Sequence, residues 1–352
     1  MSNMYRWLNE RYKLDTLLYF SREKTVPVHK GTIWLYFGGI SLFLFIMQVV
    51  TGLFLLFYYR VGSDASFESV KFIITKVHFG WLLRSMHSWA ANLMVLSLII
   101  HMFSVFFERS YRRPRELSWL TGMLLLFLSV TFGFSGYLLP WNELAFFATK
   151  VGTDSVRAIP FIGDFMLKVM RGGSEVTGAT LSRFFGLHIS VLPPVFVMVL
   201  AAHLTFVQTQ GMSKPLHSKG KPKSMPFFPD FALRDLVVWM IVLDIVIALA
   251  VFFPWELGVK ADAFSPAPAG IKPEWYFLFM FQLLKFLPAH VGPLEGELAG
   301  MVIVGIGVGM LMLVPFLDKS ASEGKINRWW TWFGIFVLAF FAVFTVLGYI
   351  LD

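Results

Sequence analysis

The chain has 352 residues, of which 57 % are apolar and only 15 % charged, against about a quarter charged in an average soluble protein. Mean hydropathy is +0.67, and a soluble core could not hide 39 Phe and 12 Trp. There is no Cys, which excludes disulfides, Cys-bound zinc, iron–sulfur ligation and thioether-bound haem on this chain. The net charge of +8 forms no basic stripe interleaved with aromatics, so it reads as membrane-flanking Lys and Arg, not as a nucleic-acid surface.

Residues 4–19 mix Tyr5, Trp7, Leu8, Tyr12, Leu14 and Leu17 with charges, the pattern of a helix lying in the interface. Runs without charge then predict seven spans of about 20 residues or more. They are 31–59, 85–107, 117–142, 184–213, 236–255, 298–317 and 329–351, the fifth broken only by Asp244. The first run is too long for a signal-peptide core. The run 275–284 is too short to cross and reads as re-entrant or interfacial. A Pro- and Lys-rich linker, 212–233, separates a four-span unit (1–211) from a three-span unit (234–352). The expected fold is all-α transmembrane: an N-terminal four-helix bundle and a three-helix C-terminal half. Of the 30 Lys and Arg, 18 fall on the side shared by the N-terminus. The positive-inside rule then puts the N-terminus in the cytoplasm and the long loops 139–183 and 254–296 outside.

Four His lie inside spans: His87 and His101 in the second, His188 and His203 in the fourth. The first pair is 14 residues apart and the second 15, about 40° short of and about 60° past four helical turns. Each pair shares a helix face, separated by about 21–22 Å along the axis. The two spans run parallel, so His87 is level with His188 near the outer side and His101 with His203 near the inner side. Two facing imidazoles without a third ligand suit bis-imidazole haem better than zinc, which wants four ligands. Two such levels make a two-haem stack. His29, His78, His217 and His290 lie in loops or at interfaces and receive no metal.

Gly38 and Gly52 in the first span, and Gly122 and Gly136 in the third, repeat the 14-residue interval. A flat macrocycle edge needs backbone at close range, which a residue without a Cβ allows. Haem propionates want cations, and Arg84 and Arg183 precede the outer pair by three and five residues. Arg112, Arg113 and Arg115 follow His101 at the inner end.

These features resemble cytochrome b of the cytochrome bc/bf complexes. The motifs are Gly80-Trp-Leu-Leu-Arg-Ser-Met-His87, Gly136-Tyr137-Leu-Leu-Pro-Trp141, Arg183-Phe-Phe-Gly-Leu-His188 and Pro273-Glu274-Trp275-Tyr276. The N-terminal half is most similar to the chloroplast-type b subunit, with its 14 intervening residues between the second His pair. The C-terminal half is similar to that branch's separate three-span subunit, here fused. Mitochondrial-type proteins are fusions with eight spans, so the arrangement implies a bacterial complex of the inner (cytoplasmic) membrane. The chloroplast type bears a further haem on a Cys near the position of Tyr36; without Cys, covalent attachment is excluded.

The resemblance implies a Q cycle. Quinol is oxidised near the outer face, and one electron goes to a Rieske iron–sulfur protein. The other crosses two b haems and reduces quinone near the inner face, coupled to proton translocation. It also implies a c-type cytochrome partner and a homodimeric complex. Glu274 would accept a quinol proton beside Tyr276, with Pro273, Trp275, Tyr137 and 144–149 around the pocket. At the inner quinone site it points to Asp235 and Arg234. Gln208, five residues after His203, stands where mitochondrial-type proteins have a quinone-binding His. Two other readings are a dihaem membrane anchor for a dehydrogenase, which lacks Pro-Glu-Trp-Tyr, and a transporter with structural His, which would show inverted repeats or broken helices.

Overall fold

A hydrocarbon environment leaves backbone N–H and C=O groups no partner but each other, so long apolar runs fold as helices. The computed structural model describes residues 3–15, 24–28, 32–213, 216, 223–268 and 270–351. Among these, seven helices are long and apolar enough to cross a membrane: Ile33–Leu56, Gly80–Phe107, Glu116–Tyr137, Gly178–Gln210, Phe227–Phe252, Gly296–Ser322 and Arg328–Ile350. All seven expected spans are present, with shifted ends. The second starts at Gly80 rather than 85, because Arg84 is buried and lies inside the helix. A charge does not end a helix when the fold satisfies it. Phe79 sets this start with a left-handed φ of 58°, and a Cβ on Gly80 would collide with the Ile73 carbonyl.

The helix expected at the interface covers Asn3–Tyr12; residues 16–19 of its expected range lie outside the described residues, as do His29 and His217. Of the expected linker, 214–215 and 217–222 also lie outside them. Within it, Lys223–Pro226 forms a two-stranded antiparallel ribbon with Thr25–Val28, and the linker's last residues, 227–233, already belong to the fifth span, Phe227–Phe252. The short run 275–284 becomes a helix, Trp275–Phe286, packed on the seventh span through Phe279 and Phe341 (5.0 Å between ring centroids).

The first four spans bury Leu44, Phe45, Met94, Leu128 and Phe196 between the two His levels. Phe45 stacks on Phe196 at 4.3 Å, and Val246 of the fifth span closes this core. One of the junctions between the two halves lies beyond the ends of the spans, on the side of His101 and His203. Arg109, between the second and third spans, meets Asp318 at 3.6 Å with both side chains 3 % exposed or less. Tyr111 donates to the same carboxylate at 2.7 Å, and Arg109 donates to Thr331 at 2.7 Å.

Candidate functional site

The imidazoles of His87 and His188 face each other across the bundle, with centroids 6.5 Å apart and planes at 71°. Two rings binding one metal through nitrogens about 2 Å from it would have centroids roughly 6 Å apart. The unequal His spacing is absorbed locally. Leu187–Val191 forms a π turn in which the Leu192 N–H reaches back to the Leu187 carbonyl. Pro193 and Pro194 follow, and neither has an N–H to give to the preceding turn. The π turn takes up one extra residue at His188, so 15 residues in the fourth span match 14 in the second. Among the described residues, no three of His, Cys, Asp or Glu converge on one point.

The four glycines expected at a macrocycle edge each lie against an imidazole. A Cβ on Gly52 would lie 3.3 Å from the His87 ring, and on Gly38 3.1 Å from the His101 ring. On Gly122 it would lie 3.3 Å from His203, and on Gly136 2.6 Å from His188. The first span thus seats the imidazoles of the second, and the third seats those of the fourth.

At three of the four positions the residue before the glycine is a hydroxyl that meets the same ring. Thr51 is 2.9 Å from His87 Nδ1, Thr121 is 3.0 Å from His203 Nδ1, and Ser135 is 3.1 Å from His188 Nδ1. Each hydroxyl has one proton. Thr51 gives its proton to the Met47 carbonyl at 2.6 Å, Thr121 to Leu117 at 2.8 Å, and Ser135 to Phe132 at 3.1 Å. The hydroxyl is then left to accept from Nδ1–H, which leaves the Nε2 lone pair free for a metal. The fourth position has Phe37, and His101 Nδ1 is buried without a hydrogen bond. Sequence reasoning missed these hydroxyls, although the Thr-Gly and Ser-Gly pairs were a visible signal.

The arginines expected to face propionates make contacts within the protein. Arg84 is buried and donates to the carbonyls of Trp255 at 2.5 Å and Glu256 at 3.1 Å. It ties the His87–His188 level to the loop after the fifth span. Arg183 is exposed, its guanidinium lying over Gly172. Arg115 donates to the carbonyls of Gln210 at 3.1 Å and Gly211 at 3.2 Å, where it caps the fourth span.

Pro273 leads into the helix Trp275–Phe286, and Glu274 occupies its N-cap position with extended backbone. Its side chain makes no capping hydrogen bond, so the carboxylate is not committed to the helix end. Burial raises its pKa from the ordinary 4.5 to about 7. Tyr276 is buried against the third span, where a Cβ on Gly133 would collide with its hydroxyl. Its pKa is pushed up by burial first, then by the neighbouring Glu274 and Tyr137. Trp275 donates to Asn92 Oδ1 at 2.9 Å, which fixes the motif to the second span. The two long loops meet here. Asn142 donates to the Leu257 carbonyl at 2.7 Å, and Phe146 and Phe147 are buried in the same apolar cluster.

At the other end, Asp235 packs against Gly39, whose Cβ would lie 2.5 Å from both carboxylate oxygens. One of those oxygens, Oδ1, is buried without a hydrogen bond. Gln208 is bonded by Lys24 through its side-chain amide oxygen and its carbonyl at 2.8 Å. Arg234 is exposed. Tyr36 stacks on Phe231 at 4.9 Å.

Residues 22–211 match the family model described as Cytochrome b/b6/petB, and residues 260–351 match Cytochrome b(C-terminal)/b6/petD. The chain belongs to the cytochrome b/b6 family. It is 50 % identical to a "Cytochrome bc complex cytochrome b subunit" of Chlorobaculum thiosulfatiphilum, covering 97 % of this chain and 80 % of that one. It is 41 % identical to the cytochrome b6 of Cyanidium caldarium over 61 % of this chain and all of that protein. A solved structure, "Hyperthermophilic respiratory Complex III", matches with a TM-score of 0.85 at 29 % identity, covering 97 % of this chain and 90 % of that one.

As a cytochrome b, the chain is an integral membrane protein of the b-haem family and a redox subunit of a quinol oxidoreductase. The donor set fits such a group. Paired neutral imidazoles, each beside a glycine that leaves it room, are what a bis-imidazole iron requires.

Proposed function

We propose that this cytochrome b oxidises quinol at the Glu274 end of the bundle, reduces quinone at the Asp235 end, and couples the two to proton translocation. His87 and His188 would hold one b-type haem, and His101 and His203 a second. Bound there, the haems supply one-electron carriers at two depths of the membrane. The observation that carries this reading is the 6.5 Å approach of the His87 and His188 rings, with Tyr276 seated on Gly133, about one helical turn from Gly136.

The protein's own groups divide the proton work. With its pKa near 7, Glu274 is poised to take a proton from quinol and pass it on. Tyr276 and Tyr137 flank it, while Trp275, anchored on Asn92, holds the motif in place. At the opposite end the half-buried Asp235 has a buried Oδ1 without a hydrogen bond and is suited to give a proton to reduced quinone. Arg234 and Gln208 would line the approach. The 18-of-30 bias of Lys and Arg supports a cytoplasmic N-terminus in a bacterial inner membrane. A Rieske protein would accept the other electron and pass it to a c-type cytochrome, in a homodimeric complex.

A reduced-minus-oxidised spectrum of the purified complex tests this. Two b-type haems per chain are expected, and fewer than two would refute it. His87→Leu and His188→Leu should each remove the same haem, whereas His101→Leu and His203→Leu should remove the other. Loss of different haems by His87→Leu and His188→Leu would break the pairing.

A further inference from the structure

The fifth span contains a charge that neither haem nor quinone chemistry uses. Asp244 stands 12 residues from the start of the helix Ala232–Phe252 and 8 from its end. That puts its carboxylate about 12 Å from the Phe252 end and about 18 Å from the other. Within the α-helical parts of the seven spans, no other charged side chain stands more than two turns from both ends. Asp244 is exposed, and no described residue gives it a hydrogen bond or ion pair. Leu233, Val237, Met240, Ala248 and Val251, on the same helix face, are exposed as well. Val246 and Ala250, on the opposite face, are fully buried against the bundle. The exposed stripe is about 27 Å long, enough to accompany a helix across most of the bilayer.

A carboxylate facing hydrocarbon is costly and calls for a partner at its own depth. We propose that this stripe seats a transmembrane helix of another subunit, and that this helix presents a Lys or Arg to Asp244. A second copy of this chain lacks the chemistry, because its spanning helices offer no Lys or Arg so far from their ends. A lipid headgroup lies at the interface, about 12 Å too shallow. The inference stands apart from the haem and quinone assignments, since the stripe is on the outside of the bundle.

The test uses the intact complex in mild detergent. A photoreactive benzoylphenylalanine at Met240 should cross-link to a spanning peptide of another subunit that carries a Lys or Arg within about one turn of the cross-linked depth. Cross-links confined to a second copy, to lipid, or to a span without a cation would overturn the proposal. Asp244→Glu should retain that subunit through detergent washing, whereas Asp244→Asn should retain at least about tenfold less. Both variants should keep the haem spectrum of the parent protein, which shows that the bundle has folded. Equal retention of the subunit by Asp244→Asn would overturn the ion pair.

Discussion

Gly136 lies so close to His188 that a Cβ at position 136 would stand 2.6 Å from the imidazole Cε1. The corresponding distances are 3.1 Å at Gly38 and 3.3 Å at Gly52 and Gly122. A contact of 2.6 Å must move the ring, whereas 3.3 Å asks a neighbour to give by a few tenths of an ångström. Gly136→Ala should therefore lose the haem of the His87–His188 level, while Gly122→Ala keeps both haems with one potential shifted. Difference spectra and redox titration read the outcome. Full haem content in Gly136→Ala would show that the ring has somewhere to go.

Thr51 offers the cleanest test of the hydroxyl–imidazole contacts. The hydroxyls facing His188 and His203 share those rings with backbone carbonyls of Phe132 and Ser118; for His87 Thr51 is the contact at 2.9 Å. Thr51→Val keeps the shape and removes the acceptor. Partners of this kind are worth about 10–100-fold in metal-site affinity. We expect haem loss on dilution or mild denaturant at the His87 level only, and normal retention in Thr51→Ser. Equal retention in the Val variant would argue that packing alone orients the ring.

The proposed role of Glu274 predicts a pH dependence for quinol oxidation. Burial lifts its pKa to about 7. Below that pH the carboxyl is protonated in the folded protein and cannot accept a quinol proton. Turnover should fall as pH drops through about 7 and level off above it, with both haems intact. In Glu274→Gln the overall rate should drop by about 10²–10⁴-fold and the inflection near 7 should vanish. Steady-state rates with a soluble quinol across pH 5.5–8.5 (about one unit and a half either side) decide it. An unchanged inflection in the Gln variant would assign the titration to another group.

Asp318 carries a prediction about stability alone. Its carboxylate meets Arg109 at 3.6 Å in a setting that excludes water. Asp318→Asn leaves the guanidinium buried without its counter-charge, at about 3–5 kcal/mol. Tyr111→Phe removes only the 2.7 Å hydrogen bond, at about 1 kcal/mol. Thermal unfolding of the purified complex should rank the two in that order. A reversed order would locate the stabilisation in the Tyr111 contact.

Hydropathy and charge gaps determined the seven spans, because a bilayer leaves a helix no other way to satisfy its backbone. The 14- and 15-residue His intervals placed four rings on two inward faces at two depths, since helix geometry is local. Helix geometry alone leaves the difference between the two intervals unexplained. The π turn at Leu187–Val191 accounts for it, through the missing N–H groups of Pro193 and Pro194. Nor does helix geometry assign Gly136 to His188 or Thr51 to His87, since those contacts run between helices whose rotation is set by packing. Arg84 shows the limit most plainly. Its position three residues before His87 was legible, but its hydrogen bonds go to carbonyls 171 and 172 residues away. The sequence by itself determined which residues share a helix face and a depth. Only the tertiary structure decided which partner each face meets, because side-chain contacts between spans depend on how whole helices turn and settle against one another.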